Sequence, residues 1–155
     1  MEFVVNEWLP EYFRPNATPE EKEKLEIFLN KFMVRNDKLF VRRPSEFLSK
    51  ILLLSKHYQY DNKVHTNLKS FISNILQNSD RCVFVNDNEF ELEGAIIDKL
   101  KEGGNTISDQ YLFEAAARTA TKTIITTDAK LKKWMGNEKT FKIELLDDFL
   151  TSYPV

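Results

Sequence analysis

"TKTIITTDAKLKKW", residues 121–134, decides how this chain is read. Thr123, Ile124, Ile125, Thr126 and Thr127 are β-branched throughout, which favours a short extended strand, and Asp128 stands where it can cap the basic segment that follows. A strand that ends on an acid and turns at once into a helix puts that acid where open α/β sheets carry their chemistry.

Working upstream, "SDQYLFEAAARTA" (108–120) predicts the helix leading into that strand, with Ser108 or Asp109 as cap and Leu112, Phe113, Ala116 and Ala120 on one side. Residues 89–102 predict a further helix with Phe90, Ile96, Ile97 and Leu100 inward, stopped by Gly103 and Gly104. Short apolar runs at 3–5, 39–41, 82–85 and 141–143 predict the other strands. Between them, Thr18, Pro19 and Glu21 open a helix carrying Leu25, Phe28, Leu29, Phe32 and Met33. Pro44 marks the start of another with Phe47, Leu48, Ile51 and Leu52, and a third periodic segment runs from Val64 to Leu76. A helical turn around "LLDDFL" ends the pattern. Strands alternating with helices predict a three-layer α/β/α sandwich, one domain over 1–155, with a central, mainly parallel five-stranded sheet. If the first and fourth strands are neighbours, Asn6 and Asp128 share the crevice where strand order reverses.

The bounds agree. The chain has 155 residues, 42% hydrophobic and 30% charged, enough for one core, and its formal net charge of −2 leaves polyanion binding to a local patch. Its one cysteine, Cys82, lies within "CVFV" and is expected to be a buried structural thiol, and no disulfide can form. An acid in place of a basic amino-terminal region and a short apolar run there predict neither a signal peptide nor a spanning helix, so the expectation is a cytoplasmic protein with no membrane partner.

The stretch 108–131 resembles the carboxyl half of a PIN domain: an acid opening a helix, about a dozen residues of helix and turn, then an apolar strand closing in "TTD". Strand order along the chain, the opening "FVV" and the ending "FKIELLDDFL" extend the likeness over nearly the whole length; only the carboxyl half is specific. The resemblance implies a five-stranded parallel sheet and, in active members, cleavage of RNA dependent on Mg2+ or Mn2+, as in the toxin halves of toxin–antitoxin pairs. RNA, an antitoxin-like protein and a second copy of the chain are its candidate partners. Clustered carboxylates suit that chemistry because hard cations take oxygen ligands and crowded acids repel one another until a cation joins them.

Asp109 and Asp128 match the family's two later acids, and the two earlier positions depart from it. Asn6 stands where the family closes its first strand with an aspartate, with Glu7 next to it. Lys50 stands at the family's helical glutamate, with Glu46 one turn earlier, able to replace the lost carboxylate or to pair with Lys50. The candidate catalytic set is therefore Asp109, Asp128, Asn6, Glu46 and Glu7, with Asp109 and Asp128 as metal ligands. Arg42, Arg43, Lys50, Lys130 and Lys132 are weak candidates for holding RNA phosphates. The plainer alternatives are that both aspartates are helix caps, that the basic runs are solvated charge, and that Trp8 and Trp134 pack. His57 and His65 receive no role, their spacing not suiting one metal. The competing function is a non-catalytic RNA- or protein-binding module in which the metal is lost and Lys50 replaces it. A Rossmann-like nucleotide-binding regulatory domain is weaker, since no glycine-rich loop follows the first strand.

Overall fold

The computed structural model describes residues 1–154, Asn105 by its backbone alone. Five strands form one parallel sheet: β1 (Glu2–Val5), β2 (Lys38–Arg42), β3 (Cys82–Val85), β4 (Thr123–Thr126) and β5 (Lys142–Leu145), in the order β3-β2-β1-β4-β5. The predicted three-layer α/β class and all five strand positions are observed.

Alternation along each strand builds the two cores, because successive side chains leave opposite faces of a sheet. Phe3, Val5, Leu39, Val41 and Ile125 face one layer. That layer holds α1 (Trp8–Glu11), α2 (Pro19–Arg35), α3 (Glu46–His57), α4 (Asn62–Phe71, prolonged by a wider turn over Ile72–Leu76) and α8 (Leu146–Ser152). Val4, Phe40, Ile124 and Ile143 face the other, made of α5 (Gly94–Glu102), α6 (Gln110–Ala116) and α7 (Ala129–Met135).

The helix signals act as read in most places. Thr18 and Glu21 form a reciprocal capping box on α2 with Pro19 in the first turn, and Ser45 caps α3 by accepting from the Leu48 N–H, so that α3 begins just past Pro44. Met33, Leu52 and Ala120, expected on apolar faces, are exposed, and two helix starts need correction. The helix expected over 89–102 begins only at Gly94, because Asn88 adopts a left-handed φ of 68° and the Asn86–Glu89 turn is closed by its own side chains. Asp109 does not cap α6: a 3-10 turn over Gly104–Asp109 runs directly into the helix and leaves Asp109 at φ −94°, ψ 5°, outside the extended conformation in which a cap side chain reaches back to the first N–H groups. Gly104, at φ +70°, makes the sharp reversal between α5 and that turn.

No helix among the described residues is long and apolar enough to cross a membrane.

Candidate functional site

The strand order places the site. Chain progress from β1 runs outward through β2 to β3, then returns across the sheet to β4, so the reversal falls between β1 and β4. Asn6 leaves the carboxyl end of β1 there. Its backbone N–H donates to the Ile125 carbonyl at 3.2 Å, its Nδ2 to Thr126 Oγ1 at 2.6 Å, and its Oδ1 accepts from the Trp8 N–H at 3.3 Å. Both ends of the amide are thus engaged in tying β1 to β4 and to the start of α1. Trp8 packs, as its sequence context suggested: it is buried and donates Nε1–H to the Ile125 carbonyl at 3.0 Å.

Asp128 is a helix cap, accepting from the N–H groups of Lys130 and Leu131 at 2.9 and 3.2 Å. Asp109 is a different kind of acid. It is half-buried, makes no capping bond, and its carboxyl is pushed up to about 6, first by burial and then by the carboxylates of Asp128 and Glu7. Three acids from three separate segments therefore share one field at the end of the sheet. Tyr111, in the first turn of α6, reaches the same place: its hydroxyl is buried without a hydrogen-bond partner, and burial followed by Glu7 and Asp109 raises its pKa. It packs against both apolar layers and so closes the end of the sheet.

Lys50 comes in from α3, and its ammonium lies 3.1 Å from Glu11 Oε1 and 3.8 Å from Glu7 Oε1. Glu46 is exposed, and Lys50 turns away from it to the α1 acids. The position where the resemblance implies an acid thus supplies a cation to the acid cluster.

The five basic residues separate. Arg42 is buried, with Nε 3.5 Å from Glu114 Oε1, Nη1 donating to the Arg43 carbonyl, Nη2 paired with Asp87, and its guanidinium 4.7 Å from the centre of the Phe90 ring. Lys132 donates to the Ile143 carbonyl at 2.7 Å. Lys50 belongs to Glu7 and Glu11. Arg43 and Lys130 remain exposed.

Sequence reasoning missed Tyr111 and Glu114. Glu114 is buried against Arg42, and its pKa is raised, burial outweighing the lowering by Arg42. The signal for it was present: within "LFEAAA" apolar residues occupy every side of the helix, so its acid had to be buried as well. Nothing local distinguished Tyr111. The Cys82 thiol is buried and pushed up to about 12 by that burial, which makes it a poor nucleophile.

A hard divalent cation would find oxygen donors of the right chemistry in Asp109 and in the Asp128 oxygen not used for capping. Among the described residues no group of three or more Asp, Glu, His or Cys side chains is arranged to hold a metal ion, and Glu7 is shared with Lys50.

Comparison with protein-family models, with curated proteins and with solved structures finds no match to the chain.

Proposed function

We propose that the chain is a PIN-like domain whose crevice is a weakened form of a metal-dependent endoribonuclease site. One observation carries the reading: Asp109, left out of its own helix cap, is held beside Asp128 and Glu7 at the strand-order reversal, where its charge is opposed by burial and by both neighbours. A fold gains no stability from that arrangement, so a ligand for it is the economical explanation. Asp109 and Asp128 would hold magnesium or manganese, which when bound supplies a water of lowered pKa and positive charge at a phosphodiester. Asn6 contributes rigidity, fixing the β1 and β4 ends against each other. Asp109 must lose its proton to take a cation, so binding should strengthen as pH rises through about 6.

A specific observation favours the second reading, a non-catalytic RNA- or protein-binding module. Lys50 already brings positive charge to Glu7 and Glu11 and competes with a cation for the same field. Calorimetric titration with manganese near neutral pH separates the two. The weakened enzyme should bind weakly, on the order of millimolar, and Asp109→Asn and Asp128→Asn should each abolish the heat. A titration with no heat dependent on these two residues would transfer the preference to the module.

A further inference from the structure

Arg42 and Arg43 are adjacent in sequence, yet the sheet sends them to opposite faces. Arg42 follows the side of Phe40 into the α5–α6 layer and is consumed by Glu114 and Asp87. Arg43 lies on the side of Phe84, a residue packed against the other core. Its backbone N–H continues the ladder to the Val85 carbonyl at 2.9 Å, so its position is set by the end of the sheet.

The Arg43 side chain is exposed but not loose. Its guanidinium carbon lies 4.6 Å from the centre of the Phe84 ring, and its Nε–H donates to Asn86 Oδ1 at 2.8 Å. Asn86 is held in turn: its backbone N–H and its Nδ2 both donate to the Glu89 carboxylate, at 3.0 and 3.2 Å, and these bonds lower the Glu89 pKa. Fixing an arginine side chain forfeits rotamer entropy. The terminal Nη groups make no hydrogen bond to protein among the described residues. The cation is therefore backed by an aromatic ring and pinned at Nε, while the side chain as a whole stays exposed to solvent.

We propose that Arg43, seated on Phe84 and oriented by Asn86, is a stacking platform for an unpaired nucleobase of single-stranded RNA. Guanidinium planes and aromatic rings are the surfaces on which unpaired bases stack, and the free Nη edge can take the phosphate next to that base. The location suits such a strand. Arg43 ends β2, the immediate neighbour of β1, and its guanidinium sits over Phe84 of β3, so the platform lies at the same end of the sheet as Asn6 and about 10 Å, two strand spacings, across from it. Arg42, for all its charge, has no part in it.

The platform rests on the RNA reading of the crevice, and its test separates the two. Fluorescence anisotropy would follow a labelled single-stranded RNA, and the same backbone with abasic sites, in magnesium-containing buffer. The probes are added to wild type, Arg43→Lys and Arg43→Ala. Lysine keeps the charge and loses the plane, so Arg43→Lys should weaken binding of the intact strand about tenfold and leave the abasic strand nearly unchanged. Equal binding of the intact strand by wild type and Arg43→Lys overturns the platform while leaving RNA binding standing. Equal weakening on both strands assigns Arg43 to phosphate alone and also overturns it. Wild type that binds neither strand removes the RNA reading itself, and the platform with it.

Discussion

Two aspartates at opposite edges of one sheet have opposite fates. Asp37, at the amino edge just before β2, is 1% exposed and fully answered: the Met1 amino nitrogen donates to Oδ1 at 2.6 Å, Arg35 Nε to Oδ2 at 3.1 Å, and the Tyr153 hydroxyl to Oδ2 as well. Asp109, at the carboxyl edge, has less burial to overcome, yet no cap bond and two like charges for company. The first carboxylate joins α2, β2 and the segment after α8. The second is held where folding gains nothing from its charge. A buried acid with donors is part of the framework, whereas an acid opposed by its surroundings marks a place kept for something else.

The contrast can be broken from the Asp37 side with the largest effect. Asp37→Asn should destabilise the protein by about 3 kcal/mol, the low end for breaking a buried ion pair because Arg35 keeps partial access to water at 22% exposed. Urea unfolding measures it, and a loss below about 1 kcal/mol, the size of an exposed pair, would show that Asp37 is no framework residue.

Asp109→Asn should do the reverse. The folded carboxyl sits at about 6 against an ordinary 3.8, so folding favours the protonated form: the fold is spared below pH 4 and loses stability as pH rises from about 4 to 6. The variant should therefore be more stable than wild type at neutral pH, by about 2 kcal/mol after allowing for water at the half-buried group, and equal to it at pH 3.5 or so, near the ordinary aspartate pKa. Glu114, also raised by burial, contributes the same slope in both proteins, so their difference isolates Asp109. Identical pH–stability curves would mean that neither burial nor the neighbouring acids raise the Asp109 carboxyl.

A double change sharpens the comparison at the ligand. Asn6→Asp with Lys50→Glu adds two carboxylates and withdraws the cation that now serves Glu7 and Glu11. Manganese should bind at least tenfold tighter, about 1.4 kcal/mol, with cleavage of single-stranded RNA gained or increased. Unchanged affinity would show that Lys50 does not govern the site. The smallest effect is expected at Tyr111→Phe, which removes a buried hydroxyl that has no partner. Stability should hold or rise by up to about 1 kcal/mol, and a clear loss by thermal melting would reveal a hydrogen bond of that hydroxyl to Glu7.

Much of this contrast was legible before any coordinates, and the exceptions share a cause. The capping box of α2, the β-branched run of β4 and the short apolar run of β1 are local codes, readable because propensity and period act over a few residues. The sequence suits Asp128 both to a cap and to a ligand, and as a cap it obeys the local rule. Asp109 has the same apparent context, but the 3-10 turn entering α6 removes the extended conformation that a cap needs. The helix expected from residue 89 fails for a similar reason: the left-handed Asn88 and the Asn86–Glu89 turn hold the backbone out of helix, and Phe90, apolar and in phase, packs against Arg42 instead.

The sequence by itself determined the class of the fold, the positions of the strands and the presence of two aspartates in strand-and-helix contexts that suit a site. Each of these follows from short-range periodicity and from what β-branched, capping and apolar residues do to their own backbone. Only the tertiary structure decided which charges meet. Lys50 chose Glu7 and Glu11 over Glu46 on its own helix, Arg42 chose Glu114 and Asp87, and Arg43 was left on Phe84 with its open edge toward solvent. Those pairings join residues 39 to 72 positions apart, across strands whose order β3-β2-β1-β4-β5 no local signal encodes. Charges pair according to distance in space, and that distance is set by packing the whole sheet.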